Sequence, residues 1–486
     1  MRCAAVVVAI VASVGSASAQ SPNADSTVQK QERRARAGNL VGHGGPVKTV
    51  RADPATAQVL TGAFDYAAML WDVSGDTPKL VRRFDDHTGA VNAVAFAGNG
   101  TRILTAGDDF AVSLWNAQTG ALIHRFKGHT GKIVGLSVSA DGRTAVSASW
   151  DRTARLWDLE AREAPSVVEG VLAGGPEGRN SPVNAALFSQ DGSHIFTAHA
   201  DGTIRRYVRA TAKLDRIIYK HGWGINVLDR LPGTDQLLFG ALNGASGIVD
   251  GTTGDLIREL AAHDRPVLAL AVLDKPSLIA TGGGDGTIRV MRAGDGGVIE
   301  TYKTPFGPVW SLAFLPGGGA LYYAGLDDFA TLWRVTPREA FEQIDSTFPR
   351  RFQKTGAADD PVSRGELQFA RKCSICHTLT PESGNRAGPS LYGVFGRRIA
   401  TLPGYPFTPA LKTMDIVWSG ETISKLFELG PEEFTPGSKM PLQKMNTHGD
   451  RNDLIAYLRA ATVDAPQATG QDKTNTREET RKGDKP

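Results

Sequence analysis

The chain has 486 residues, a length that predicts more than one domain. Its 54 Lys and Arg residues nearly balance its 51 Asp and Glu residues, and the formal net charge of +3 gives no indication of nucleic-acid binding. The 55 glycines favour a fold with many tight turns.

The first 19 residues have the features of a secretory signal peptide. Arg2 supplies a positive charge, residues 4–14 form an apolar run too short to span a bilayer, and Ala17-Ser18-Ala19 is a small-residue cleavage site. Cys3 would leave with this peptide, and an N-terminal linker over residues 20–37 would follow. No other segment approaches the roughly 18 apolar residues of a membrane helix, so we expect no transmembrane segment. These features predict a bacterial protein that is periplasmic or secreted.

A repeat fills the region that follows. Four tryptophans end short apolar runs, and aligning on them places three further residues at the same step of the repeat. The seven positions are Trp71, Trp115, Trp157, Tyr207, Val249, Met291 and Trp333, spaced 44, 42, 50, 42, 42 and 42 residues apart. In most repeats a histidine lies 28 residues before this position, a Ser or Thr lies ten before it and an Asp lies six before it. A period of about 40–45 residues is typical of propeller blades.

With these columns, residues 38–336 resemble the WD-repeat family, which implies an all-β propeller of seven four-stranded blades. The resemblance also implies that His129, Ser147, Asp151 and Trp157 form a buried hydrogen-bonded set within their blade. We therefore interpret the repeated His and Asp residues as structural, not catalytic. Residues 37–41 are similar to the outer-strand segments, and we expect them to complete the last blade and protect its edge.

Four aromatic residues of this region have no place in the blade pattern. Phe64 and Trp150 directly precede repeat aspartates, Trp223 lies two residues after a repeat histidine, and Trp310 opens an inner strand. The resemblance places all four on one face of the propeller. Because tryptophan is enriched at binding hot spots, we expect a partner protein to bind there. The alternative is that these rings plug the channel or pack under loops.

Residues 337–363 are polar and contain three prolines, which predicts a linker. The motif Cys373-Ser374-Ile375-Cys376-His377 follows, and C-x-x-C-H is typical of c-type haem attachment. The two thiols would form thioethers, and His377 would be the proximal iron ligand. A zinc site would need further ligands and a redox C-x-x-C would need a βαβ context, so we expect one covalent haem c.

Residues 364–463 resemble class I cytochrome c, which implies an all-α domain. The resemblance implies that the carbonyl beside the proline of the Gly388-Pro389 turn accepts from the His377 ring, and that Trp418 hydrogen-bonds a haem propionate. Residues 436–440 match the loop of the distal ligand, which makes Met440 the second axial ligand and places Ser438 in the haem pocket. Met445 is the rival ligand, and a core role for Met440 is the ordinary alternative.

An iron with His and Met ligands has no open coordination site, which favours an electron carrier over an enzyme. The first hypothesis is a periplasmic electron-transfer protein whose propeller docks a redox protein or a membrane-bound electron-transfer complex. The alternatives are a quinohaemoprotein-like or other propeller oxidoreductase with a second cofactor, and a redox sensor or assembly factor. The donor, the acceptor, the direction of electron flow and the oligomeric state stay open. Residues 464–486 are polar and lack aromatic residues, which predicts a disordered tail.

Overall fold

The computed structural model describes residues 38–335 and 360–462, except for positions 54, 161–166, 173–180, 305–306, 375, 381–387, 406, 437, 439, 441–443 and 446. The chain divides into two compact units, Met1–Thr347 and Phe348–Pro486. The predicted signal peptide (1–19), N-terminal linker (20–37) and C-terminal tail (464–486) lie outside the described residues, as does most of the predicted linker over 337–363. Among the described helices, none is both long enough and apolar enough to cross a membrane.

The first unit is a propeller of seven four-stranded antiparallel sheets, as the repeat predicted. In blades 1 to 6 the strands pair in chain order, starting from the strand nearest the central channel. Blade 1 contains β2 (Val47–Ala52), β3 (Gln58–Ala63), β4 (Ala68–Asp72) and β5 (Lys79–Phe84). Blade 2 contains β6 (Val91–Ala97), β7 (Arg102–Gly107), β8 (Val112–Asn116) and β9 (Leu122–Phe126). Blade 3 contains β10 (Ile133–Val138), β11 (Thr144–Ser149), β12 (Ala154–Asp158) and β13 (Val167–Leu172).

The remaining blades follow the same plan. Blade 4 contains β14 (Val183–Phe188), β15 (His194–His199), β16 (Thr203–Val208) and β17 (Lys213–Lys220). Blade 5 contains β18 (Ile225–Arg230), β19 (Gln236–Ala241), β20 (Ser246–Asp250) and β21 (Leu256–Glu259). Blade 6 contains β22 (Val267–Leu273), β23 (Leu278–Gly283), β24 (Thr287–Arg292) and β25 (Val298–Lys303). Blade 7 contains β26 (Ser311–Phe314), β27 (Ala320–Ala324) and β28 (Phe329–Arg334).

Blade 7 is completed by the N-terminal strand β1 (Leu40–Val41), which confirms the predicted closure. Leu40 pairs with Ala330 and is fully buried. The Tyr322 hydroxyl donates to the Gly38 carbonyl at 2.9 Å, and the Leu332 amide donates to the Asn39 side chain at 3.0 Å. The ring is therefore fastened by residues almost 300 positions apart in the chain.

The propeller has no single core. Each pair of neighbouring blades encloses its own apolar cluster, including the pair formed by blades 7 and 1. The second strand of each blade is covered by neighbours on both faces, so β3, β7 and β11 are buried along nearly their whole length. The outermost strands carry charged residues, as in β5, whose side chains are mostly exposed.

The polar set predicted for blade 3 is present. The His129 Nδ1 lies 2.7 Å from a carboxylate oxygen of Asp151, and its Nε2 lies 2.7 Å from the Ser147 hydroxyl. The Trp157 indole donates to the same hydroxyl at 2.8 Å. The corresponding residues of blades 1 and 2 make equivalent contacts. Because these polar groups are buried and paired, they join the strands of a blade and need no catalytic explanation.

The second unit is helical. Its described helices are α1 (Pro361–Lys372), α2 (Pro409–Lys412), α3 (Gly420–Leu429), α4 (Pro431–Phe434) and α5 (His448–Thr462). Helix α1 begins inside the predicted linker, because the Asp360 side chain accepts from the Ser363 amide at 2.9 Å and Pro361 takes the first helical position. Pro361, one of the three prolines that predicted a linker, thus lies at the start of a helix.

Helices α1 and α5 are in direct contact. The Arg364 guanidinium lies 2.6 Å from the Asp453 carboxylate, and the rings of Phe369 and Tyr457 are 5.6 Å apart. A Cβ atom on Gly365 would overlap the carbonyl of Asp453, so a glycine is required where the two backbones approach. This contact brings the end of α1 against the core of the helical unit.

Candidate functional site

The C-x-x-C-H motif begins where α1 ends. Cys373 caps the helix, and its amide donates to the Phe369 carbonyl at 2.8 Å. The amides of Cys376 and His377 then both donate to the Cys373 carbonyl, at 3.0 and 2.9 Å. These bonds fold the motif into one tight turn that holds two thiols and an imidazole close together.

The ring of His377 is oriented by the turn that follows. Its Nδ1 donates to the Pro389 carbonyl at 2.8 Å, and since this nitrogen carries the proton, Nε2 is the nitrogen able to bind a metal. Gly388 lies directly against the ring, and a Cβ atom there would overlap the imidazole. The predicted proline and the glycine before it therefore both position His377.

A third residue, not expected from the sequence, fixes the same turn. The Arg397 guanidinium donates to the carbonyls of Ser390 at 2.7 Å and Tyr392 at 3.0 Å. Burial lowers the pKa of Arg397. Because a guanidinium presents five donors in a rigid fork, one side chain can hold two carbonyls at once. No motif marks this arginine, because its partners are backbone groups whose positions only the fold defines.

Both cysteines of the motif are thiols. Cys373 is 5 % exposed, and burial raises the pKa of its thiol to about 12. Close by, burial together with Cys376 raises the pKa of Tyr405 to about 12. Both shifts reflect the burial of these groups, which disfavours their charged forms.

The motif packs against the apolar core of the helical unit, which includes Cys373. Leu426, Phe427 and Met445 are buried in this core, and Trp418 and Met440 are partly buried against it.

The two candidate methionines differ in their surroundings. Met445 is 3 % exposed, its amide donates to the Phe427 carbonyl at 2.8 Å, and its own carbonyl accepts from Arg451 at 2.7 Å. The Met440 amide donates to the Ser438 hydroxyl at 3.0 Å, so Ser438 shapes the loop that carries Met440. The backbone of Met445 is thus fixed within the core by two hydrogen bonds, whereas Met440 is partly exposed on the loop that Ser438 shapes.

The residues of this unit fit a covalently bound haem. Two thiols and one oriented imidazole share a single turn, the adjoining wall is apolar, and a loop methionine packs against the same core. A structural zinc site needs four ligands, and no group of three His, Cys, Asp or Glu side chains is close enough to hold a metal among the described residues.

The propeller has a second candidate site in its central channel. A cavity of about 540 Å³ is lined by residues from all seven inner strands. Phe64, Trp150 and Trp310 line this cavity, and the rings of Phe64 and Trp310 are 5.8 Å apart. The Trp150 indole donates to the Asn184 side chain at 3.2 Å. Three of the four predicted aromatic residues are therefore brought together at the channel.

The fourth residue, Trp223, lies outside the cavity lining, in the loop between β17 and β18. It is 60 % exposed and Trp150 is 53 % exposed. Leu242, which the sequence analysis missed, is 43 % exposed and lies so close to Gly224 that a Cβ atom there would meet it. Leu242 directly precedes Asn243 just as Trp150 precedes Asp151, so the repeat alignment contained the signal that could have found it. Large exposed apolar side chains grouped on one face are typical of an interaction surface.

Comparison with known proteins agrees with both units. Residues 78–116, 120–158, 172–207 and 254–291 match the family "WD domain, G-beta repeat". Cytochrome c of Gibberella zeae is 37 % identical over 105 residues, covering 22 % of this chain and 98 % of that protein. Cytochrome c of Sesamum indicum is 41 % identical over 102 residues, covering 21 % of this chain and 91 % of that protein. Over about a fifth of its length this chain therefore belongs to the cytochrome c family, and it carries WD repeats in addition.

Proposed function

We propose that this protein transfers electrons through one covalent haem c, bound by the helical C-terminal unit. The observation that carries the proposal is the turn of Cys373, Cys376 and His377, in which the Pro389 carbonyl fixes the imidazole proton on Nδ1. Similarity to whole cytochrome c proteins supports it, because those proteins match over nearly their full length. When bound, the haem would supply a one-electron redox centre.

The chain's own residues would set the properties of that centre. Cys373 and Cys376 would hold the porphyrin, and His377 and Met440 would bind the iron. Pro389 keeps the imidazole in the tautomer that a ligand needs, and Ser438 shapes the loop of Met440. If both His377 and Met440 bound the iron, the haem would supply electron transfer in preference to catalysis at the metal. Trp418 packs against the same apolar core as Cys373 and would lie beside the haem.

The propeller would serve as the docking platform for the redox partner. Phe64, Trp150 and Trp310 surround the channel, and Trp223 and Leu242 add exposed apolar surface. The partner would be a redox protein or a membrane-bound electron-transfer complex, and a cleaved signal peptide would locate the encounter in the periplasm or outside the cell. The second cofactor of the quinohaemoprotein alternative gains no specific support from the channel.

Acidified acetone tests the haem assignment. We expect it to leave the haem on the purified protein, and we expect the ferric protein to show the weak absorption band of iron–methionine ligation at the red edge of the visible spectrum. Met440→Ala should abolish that band, and the matched change Met445→Leu should keep it. Haem extracted by acetone would contradict the covalent attachment. Loss of the band in Met445→Leu alone would move the ligand to Met445.

A further inference from the structure

In blades 1 to 6 the innermost strand contains a β-bulge, and the bulged residue lies at the mouth of the channel. In blades 1 to 6 the register of the first strand shifts by one residue near its start, so one residue has no partner on the second strand. Such β-bulges redirect a side chain. With the aligned residue of blade 7, they form a ring of seven: Lys48, Asn92, Val134, Asn184, Asn226, Leu268 and Trp310. Lys48 is the only charged residue of this ring.

The ammonium of Lys48 makes a cation–π contact. It lies 4.9 Å from the centre of the Trp310 ring, which in turn neighbours Phe64. One carboxylate of the channel, Asp108, is already engaged, since it accepts from Lys132 and from Asn92, each at 2.7 Å. Within the described part of the chain, no Asp or Glu lies within ion-pair distance of Lys48. Arg51, Lys132, Asp108 and Asp229 also line the cavity, so Lys48 is one of three cations that face two carboxylates there. Among them, Lys48 is the cation that lies against the aromatic rings.

The position of Lys48 leaves its charge poorly solvated. Burial lowers the pKa of Lys48, the negative charge of Asp108 opposes this effect, and Lys132 adds to it. An anion entering the mouth would replace the water that the ammonium has lost and would form a charge-assisted hydrogen bond. A cationic group would be repelled at the same place.

The apolar surface extends beyond the channel, which favours a protein over a small molecule. A ligand that filled the cavity would be covered by the channel walls and would leave Trp223 and Leu242 in water. A polypeptide lying across the face would cover both and could also insert one side chain into the mouth. Interfaces of this kind combine a buried anchor with surrounding apolar contacts.

We propose that the channel mouth binds an acidic polypeptide segment of the partner, with an Asp or Glu carboxylate on the Lys48 ammonium and neighbouring apolar side chains on Phe64, Trp150 and Trp310. This inference rests on the proposed docking function of the propeller and adds the chemistry of the segment that it recognises. The carboxylate would enter the cavity that Lys48 lines.

Selection from a random dodecapeptide phage library on the full-length haem protein tests the proposal. We expect the selected peptides to be enriched in Asp and Glu next to apolar residues. A synthetic copy of the best peptide should bind Lys48→Met at least about tenfold more weakly, as the loss of a charge-assisted hydrogen bond implies. Lys127→Met is the matched control, because Lys127 is exposed in the neighbouring β9–β10 loop and should leave the affinity unchanged.

Replacing the peptide's acidic residue by its amide isolates the contact. This change should weaken binding to the wild-type protein and have no further effect on Lys48→Met. The recognition of a carboxylate is overturned if no acidic residues are enriched, if no peptide is selected, or if Lys48→Met binds as the wild type does. If Trp150→Ala abolishes peptide binding while Lys48→Met leaves it intact, docking on this face stands and only the acidic specificity fails.

Discussion

Blade 4 contains a buried histidine, His199, at a position that is not the histidine position of the repeat. His199 ends the second strand of the blade, and its Nε2 lies 2.7 Å from the Thr197 hydroxyl, the group that a loop histidine contacts in other blades. Asp201, at the aspartate position of the repeat, pairs instead with Arg205 at 2.6 Å. The repeat columns give no indication of this role for His199, because its contact depends on how the strand presents it and not on the column spacing. The polar set is thus rebuilt from different residues.

The titration of His199 gives a pH dependence with a definite sign. Burial, with Arg205 adding to it, lowers the pKa of His199 from 6.5 to about 4. Below pH 6.5 the His199 imidazole becomes protonated in the unfolded chain but stays neutral in the folded chain. The free energy of unfolding therefore decreases as the pH falls towards about 4. A shift of this size corresponds to roughly 3 kcal/mol of propeller stability lost between pH 7 and 4.

Urea unfolding of the propeller at pH 7 and pH 4.5 measures this loss, and His199→Gln should remove most of it. A smaller slope should persist because burial also lowers the pKa of His263. The aspartates with lowered pKa values, such as Asp65 at about 2, contribute less in this window, because the stability they supply is lost mainly as the pH falls below 3.8. An equal acid sensitivity in the variant would mean that His199 is not the group responsible.

Among the secondary-structure elements, β1 has only two residues but should contribute strongly to the stability of the propeller. Leu40 is fully buried between blades 7 and 1, so Leu40→Ala should cost about 2–5 kcal/mol of propeller stability. Leu80→Ala is the matched control, since Leu80 is 48 % exposed on the outer strand of blade 1 and its truncation should cost less than about 0.5 kcal/mol. Denaturant unfolding of both variants tests the closure, and equal midpoints would contradict it.

The crossing of α1 and α5 depends on one glycine. A methyl group at Gly365 would overlap the Asp453 carbonyl, so Gly365→Ala should force the helices apart and destabilise the helical unit. Gly449 lies in the first turn of α5, where an added Cβ atom would meet nothing within 4 Å, so Gly449→Ala should leave the stability of the helical unit nearly unchanged. We expect Gly365→Ala to lower the melting temperature of this unit and Gly449→Ala to leave it unaltered, and a neutral Gly365→Ala would show that the helices can separate without cost.

At the scale of the whole molecule, the docking face should decide partner binding. The variant Trp150→Ala, Trp223→Ala, Trp310→Ala removes three rings from one face, and each hot-spot truncation typically costs about 2 kcal/mol or more. Binding to the isolated redox partner, measured by calorimetry, should therefore fall below detection while the haem spectrum stays unchanged.

The matched control removes comparable apolar surface elsewhere. Leu80, Leu122 and Leu256 are 48, 42 and 42 % exposed on outer strands, and their replacement by alanine should leave the affinity unaltered. If this control weakens binding and the tryptophan variant does not, the partner binds the rim of the propeller and not its face.

The repeat and the haem motif are recognisable in the sequence because both depend on local spacing. The His, Ser or Thr, Asp and Trp columns predict seven blades, and the WD-repeat resemblance that they carry implies the hydrogen bonds of His129, which the structure contains. The same holds for the turn of Cys373, Cys376 and His377, whose geometry is set within five residues. The roles of Met440, Trp418 and the aromatic face stay predictions.

Tertiary structure decided what depends on residues brought together from distant parts of the chain. Gly365 meets α5, His199 takes over a contact from an absent loop histidine, and Arg397 holds carbonyls that no motif marks. Lys48 is the charged residue among the seven aligned inner-strand residues, and these meet only when seven inner strands surround one channel. In that arrangement the Lys48 ammonium lies over the Trp310 ring, and Asp108 pairs with Lys132. A periodic sequence specifies each blade, but the channel exists only between blades, so its chemistry belongs to the closed ring.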